Sequence, residues 1–202
     1  MTKIKFCGLT RPEDIEAVNA IKPDYIGFVF AKKSRRCVTP KQAAALKAGL
    51  DPAIRAVGVF VNEPFENVVQ LLENGTIDLA QLHGAEDDGY ITALREATQK
   101  PVLQAYRIAS AEDASRAAQS CADAVLLDTG AGTGQIFDWE LVRDFPRPYF
   151  LAGGLGPQNV GQAVCLLNPA AVDVSSGIET DGHKDKTKMA AFAAAVRRED
   201  EE

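Results

Sequence analysis

Eight short apolar runs, each followed by a polar or amphipathic stretch, constrain this chain more than any other feature. They are "IKFC" (4–7), "YIGFVF" (25–30), "RAVGVFV" (55–61), "DLAQLH" (78–83), "PVLQAY" (101–106), "AVLLD" (124–128), "YFLAG" (149–153) and "AVDVS" (171–175). Most are rich in Val, Ile, Leu and Phe without strict alternation, which is how strands covered on both faces read. Between them lie helix patterns. Thr10 and Pro12 open "RPEDIEAVNAI", Thr39 and Pro40 open "TPKQAAALKAGL", and Gly75 closes "EPFENVVQLLENG". "GPQNVGQAVCLLNP" and "DKTKMAAFAAAVRRED" supply two more. After the fifth and sixth runs the pattern weakens: "SAEDASRAAQSCA" is polar and alanine-rich, and "DWELVRDF" is short.

Alternating βα units imply a parallel sheet. Eight units in 202 residues sit at the lower end for a (β/α)₈ TIM barrel. A doubly wound open sheet is the alternative, and the count of eight favours closure. The expected architecture is one α/β domain over residues 1–202, with "REDEE" (198–202) as a frayed acidic tail.

The formal net charge is −6 and the pI near 5.1. That argues against a nucleic-acid-binding role but leaves room for a small anionic substrate at a locally positive site. No stretch has the length of a membrane-spanning helix, and "MTKIKFCGLTRPED" has no apolar signal core, so no membrane partner and a cytoplasmic location are expected. Cys7, Cys37, Cys121 and Cys165 show no C-x-x-C spacing and read as free thiols. No cluster has metal-ligand spacing, so no metal is inferred. The glycines of "GAGTGQ", at 130, 132 and 134, are out of register with a dinucleotide fingerprint.

In a barrel of this kind the active site gathers at the C-terminal ends of the strands. Strand 1 ends in Cys7-Gly8, strand 2 leads into "AKKSRRCV", and strand 4 ends in Gln81, His83 and Gly84. Strand 6 ends in Asp128, strand 7 in Gly153-Gly154, and strand 8 in Asp173, Ser175, Ser176 and Gly177. The turns "AGGLGPQNV" and "DVSSGIE" are either tight βα connections or a phosphate cradle. The loops after strands 7 and 8 are a recurrent phosphate site in barrels. A free cysteine is usually a small buried hydrophobe. Cys7 differs in closing a strand before a glycine, where a modest push on its pKa makes a general base. Asp128 is either a turn residue or an acid held at the rim. The "DTGAGTGQIFDW" that follows it can supply a cover for the mouth.

The ordered set "KFCGLTRPED", "GFVFAKKSRRCV", "VGVFVNE", "LAQLHGAE", "LLDT…GTGQIFDW", "LAGGLGPQNV" and "VDVSSGIE" resembles the phosphoribosylanthranilate isomerases of tryptophan biosynthesis, from residue 3 to the last helix. The resemblance implies a single (β/α)₈ barrel. It also implies a cofactor-free intramolecular oxidoreductase that converts N-(5-phosphoribosyl)anthranilate into 1-(2-carboxyphenylamino)-1-deoxyribulose 5-phosphate. It makes Cys7 the general base and Asp128 the general acid. Arg36 rather than Arg35 would face the anthranilate carboxylate, because "SRRCV" matches the family's S-x-R-x-V stretch. Gln81, His83 and Asp173 would line the sugar and amine, and Gly153, Gly154, Ser176 and Gly177 would cradle the phosphate. The chain departs from many relatives at Ala152, where a serine is frequent, and at Gln135, where a lysine is common. The implied assembly is a monomer or a homodimer.

Two other readings use the same scaffold differently. Indole-glycerol-phosphate synthase would carry catalytic lysines at its strand ends, and the histidine-pathway isomerase would close strand 1 with Asp. A barrel that only binds a phosphorylated ligand would need neither Cys7 nor Asp128.

Overall fold

The computed structural model describes residues 1–128 and 139–200. Its eight parallel strands are β1 (Lys3–Cys7), β2 (Tyr25–Val29), β3 (Arg55–Phe60), β4 (Leu79–Leu82), β5 (Val102–Arg107), β6 (Ala124–Asp128), β7 (Tyr149–Ala152) and β8 (Ala171–Val174). Each pairs with the next in sequence, and β8 pairs with β1, so the sheet closes. The open-sheet alternative is thereby excluded. Closure leaves no strand edge, which is why short strands of four to six residues suffice.

The helices are α1 (Pro12–Ile21), α2 (Pro40–Ala48), α3 (Phe65–Glu73), α4 (Asp88–Thr98), α5 (Ala111–Ala118), α6 (Val160–Leu167) and α7 (Lys186–Glu199), of which α4 has no counterpart among the sequence expectations. Thr39 caps α2 by accepting from the Gln42 amide, with Pro40 at the first helical position. At α1 the cap differs from the Thr10 expectation. Arg11 occupies the cap position, and the buried Asp14 carboxylate accepts from both the Thr10 and Arg11 amides. The alanine-rich stretch after β5 does form a helix, α5, capped by Ser110. After β6 the described chain resumes with a 3₁₀ turn, Trp139–Val142. A two-stranded hairpin, β9 (Glu179–Thr180) with β10 (His183–Lys184), sits between β8 and α7 and has no counterpart among the sequence expectations.

The expected tail at 198–202 is corrected in part. Helix α7 runs to Glu199, and Asp200 accepts the Thr2 amide on both carboxylate oxygens, at 2.8 and 2.9 Å. The same device recurs on the N-terminal face. Asp24, Asp78 and Asp123 each stand just before an even-numbered strand, and each accepts a backbone N–H from the preceding odd-numbered one, at Ile4, Ala56 and Val102. These bonds fix strand register at the face away from the rim.

Side chains alternate between two cores. Ile4, Phe6, Ile26, Phe28, Ala56 and Phe60 point outward into the layer beneath the helices. Tyr25, Val57, Leu79, Leu103, Leu126 and Phe150 fill the barrel interior. On β1 the inward positions include Lys5 and Cys7, and together with Gln81, Asp128 and Asp173 they make the filling polar toward the rim. Among the described residues, no helix is long and apolar enough to cross a membrane.

Candidate active site

The C-terminal ends of the strands enclose a cavity of about 330 Å³. Cys7, Arg36, Gln81, His83, Asp128, Gly153, Gly154, Asp173 and Ser176 all line it, as does Ala152. Of the ten residues singled out in the sequence, only Gly177 is not part of the lining. Two larger cavities, of about 510 and 470 Å³, lie beside the end of α4 and on the N-terminal face near Met1 and Pro169. Neither gathers strand-end groups, so size does not decide which one is the site. The segment with Gln135, expected as a cover for the mouth, lies outside the described residues.

Cys7 is 7% exposed and packs against Val29 and Val59. Gly8 follows with φ +82, a left-handed conformation that lets the chain turn off the strand, and a Cβ there would lie 2.4 Å from Arg36 Cδ. Ser175 donates its hydroxyl to the Cys7 carbonyl at 3.0 Å, tying the β8 turn to the thiol's own backbone. Burial dominates and holds the Cys7 thiol pKa above its ordinary value; Lys5 and Lys184 oppose that, and Asp173 adds to it.

Asp128 and His83 face each other across the ends of β6 and β4, with His83 Nε2 3.6 Å from Asp128 Oδ2. Gln81 is 2% exposed, and its Oε1 accepts no hydrogen bond from the described residues. A buried amide oxygen of this kind ordinarily has a donor, so it is suited to receive one from a ligand.

Arg36 is already engaged. Its Nε and Nη2 donate to Glu179 Oε1 and Oε2 at 2.6 and 2.7 Å, a bidentate pair. The Glu179 bond is also the main reason the Arg36 pKa is raised. Lys184 donates to the same Glu179 at 2.7 Å and to the Ser175 carbonyl at 2.9 Å. Burial raises the Glu179 pKa, but Arg36 and Lys184 outweigh it and leave the carboxyl below its usual range. Glu179 thus clamps the guanidinium by one edge and fixes its plane at the cavity wall. Sequence reasoning missed Glu179 and Lys184 because both belong to the unforeseen hairpin.

Below the thiol lies a further pair. Lys5, with a fully buried side chain, donates to Asp173 Oδ1 at 2.7 Å across the β1–β8 register. Burial lowers the Lys5 pKa, but Asp173 and Cys7 outweigh it and hold it raised. The signal for Lys5 was present in "KIKFC", where period two puts residues 5 and 7 on one face.

Gly177 stands at the contact of the β7 and β8 turns. A Cβ there would fall 1.9 Å from the Leu155 carbonyl oxygen. Its role is close backbone approach. Gly177→Ala is expected to destabilise the fold by about 1–3 kcal/mol, as overpacking does, measured as a lowered thermal midpoint. On the other turn, Asn159 accepts from the Gly156 amide at 2.8 Å and donates to the Gly154 carbonyl at 3.0 Å, holding that loop in shape. Among the described residues, no group of three or more His, Cys, Asp or Glu side chains is arranged to hold a metal ion.

Comparison with known proteins agrees with this geometry. Residues 4–195 match the family described as N-(5'-phosphoribosyl)anthranilate (PRA) isomerase. The chain is 48% identical over 202 residues to N-(5'-phosphoribosyl)anthranilate isomerase of Endomicrobium trichonymphae, covering 98% of this chain and 99% of the other. It superposes on phosphoribosyl anthranilate isomerase from Thermotoga maritima with a TM-score of 0.91 at 35% identity, over 98% of this chain and 100% of that one. It also superposes on a phosphoribosyl anthranilate isomerase in complex with reduced 1-(o-carboxyphenylamino)-1-deoxyribulose 5-phosphate, with a TM-score of 0.88 at 34% identity, over 98% and 100% of the two chains.

Proposed function

Since the chain belongs to the N-(5'-phosphoribosyl)anthranilate isomerase family, we propose that Cys7 is the general base and Asp128 the general acid of its reaction. The activity is the Amadori rearrangement of N-(5'-phosphoribosyl)anthranilate in tryptophan biosynthesis. Asp128 gives a proton to the ribose ring oxygen, the C1–O bond breaks, and the nitrogen lone pair forms the iminium. Cys7, as thiolate, takes the proton from C2. The C2–H electrons form the C1–C2 double bond and the iminium π pair returns to nitrogen, giving an enolamine. Protonation at C1 and loss of the O2 proton complete the ketose. Each positioned acid or base contributes about 10²–10⁴ in rate.

One observation carries this reading: a thiol, a carboxylate, a clamped guanidinium and two glycine- and serine-containing turns line one cavity. The phosphate sits on Gly153, Gly154 and Ser176, with Gly177 shaping the turn. Gln81, His83 and Asp173 line the sugar and amine. Glu179 occupies the Nε–Nη2 edge of Arg36, so the anthranilate carboxylate takes the Nη1 side of the fork. The chain works as one domain with no added metal or cofactor. A dimeric phosphoribosylanthranilate isomerase is known from Thermotoga maritima, and this chain acts as a monomer or a homodimer.

The Arg36 assignment is tested by Arg36→Met. Glu179 keeps its bond to Lys184, so no carboxylate is stranded by the change. Loss of a charge-assisted contact worth about 1.5–3 kcal/mol should raise KM by about 10- to 100-fold, with a smaller effect on kcat. Steady-state kinetics in the presence of EDTA check both this and the absence of a metal requirement. An unchanged KM would remove Arg36 from the carboxylate site.

A further inference from the structure

We infer that Lys5 is a positioning residue that favours the thiolate form of Cys7 against the cost of burial, and that Asp173 governs how much of the Lys5 charge the thiol receives. This rests on the reading of Cys7 as the base and adds what favours its ionisation.

The placement is the first ground. Residues 5 and 7 of β1 both face the barrel interior, Lys5 one layer beneath Cys7, and Asp173 is Lys5's register partner on β8. Lys5 is 0% exposed. The rest of the interior holds Tyr25, Leu103 and Phe150, so an apolar pair in place of Lys5 and Asp173 would continue that filling without burying a charge. A fully buried ammonium is costly unless it is paired, and replacing a buried pair with hydrophobes is often neutral or stabilising. Stability therefore gives a weak reason for a lysine here. A thiol that must ionise in a buried site gives a stronger one.

The second ground is how the other charges are disposed. Arg36 and Lys184 stand near Cys7 from the β2 loop and from β10, but both are bonded to Glu179, which cancels much of their field. His83 and Asp128 face the cavity from β4 and β6. Lys5 has three donors, one of which goes to Asp173, and its charge acts on the Cys7 thiol one layer above. Among the influences that favour the Cys7 thiolate, Lys5 is the largest, and Asp173 works against it.

The third ground is access. Lys5 is sealed, whereas the Asp173 side chain is 11% exposed and lines the cavity. A ligand can reach only the carboxylate of the pair. A substrate hydroxyl or amine that donates to Asp173 draws its negative charge away from Lys5, and the ammonium is then left to the thiol. Binding and base activation are coupled through one carboxylate.

The test reads ionisation directly. The pH midpoint of Cys7 alkylation by iodoacetamide is followed by peptide mass spectrometry, which separates Cys7 from Cys37, Cys121 and Cys165. Lys5→Met should raise that midpoint by at least about one unit, a tenfold change in the thiol equilibrium. Asp173→Asn should lower it. A purely structural pair would lower the thermal midpoint in both variants without moving the alkylation midpoint in opposite directions. If Lys5→Met does not fold, the Lys5→Met/Asp173→Asn double variant removes both charges, and its midpoint should lie above that of Asp173→Asn alone. A midpoint insensitive to Lys5, or one raised by Asp173→Asn, overturns the inference. Alkylation needs no turnover, so this outcome is separate from failure of the Cys7 base assignment, which would appear as an active Cys7→Ala enzyme.

Discussion

Cys7→Ala is expected to lower kcat by about 10²–10⁴-fold while leaving the barrel folded. The thiol sits at the end of β1 against Val29 and Val59, a small apolar cluster separate from the main core. Removing one sulfur there deletes little packing, and the backbone bond from Ser175 to the Cys7 carbonyl is untouched. The rate loss should therefore come without a matching loss of secondary structure or of thermal midpoint. Circular dichroism and initial-rate assays on the same preparation separate the two. Near-full activity would move the base elsewhere, and no other thiol lines the cavity. Cys37, Cys121 and Cys165 lie outside it, so their replacement by Ser should leave turnover unchanged.

Asp128→Asn is expected to cost a similar factor, about 10²–10⁴ in kcat, for a different reason. The amide keeps the size and shape of the carboxyl and can still donate a hydrogen bond, but it cannot deliver a proton to the departing ring oxygen. Binding should survive, so the loss falls on kcat more than on KM, which is the signature of an interaction made in the transition state. Single-turnover kinetics check this by isolating the chemical step from product release. His83, whose Nε2 is 3.6 Å from Asp128 Oδ2, can help orient that carboxyl. Turnover close to wild type would assign the proton donor to another group.

The barrel was largely legible from periodicity. Strands buried on both faces lack alternation, so the eight apolar runs stood out, and their order matched the closed sheet. The α5 helix was hard to read because alanines carry little apolar signal, and the Arg11 cap escaped because Asp14 supplies the capping carboxylate from inside the helix. Strand-end reasoning found the groups that face the cavity. It missed the groups that hold them. Glu179 and Lys184 reach Arg36 from a hairpin four residues long in strand, too short to leave a pattern. Gly177 was read only for phosphate, and nothing in the sequence signalled that the Leu155 carbonyl also leaves no room there for a Cβ. Lys5 was open to period-two reasoning beside Cys7, but its pairing with Asp173 follows only from the β1–β8 register.

The pairing of β1 with β8 also sets an order of assembly. Cys7 lies on the first strand, yet Asp173, Ser175 and Lys184 come from the last strand and the hairpin that follows it. Contacts this distant in sequence form late, after much loop-closure entropy has been overcome. A nascent or C-terminally truncated chain therefore carries its thiol without its ionic surroundings. During refolding, the return of turnover times the docking of the final strand, whereas the signal of the single tryptophan reports the neighbourhood of β6 and β7. The enzyme becomes chemically competent only when its first and last strands have met.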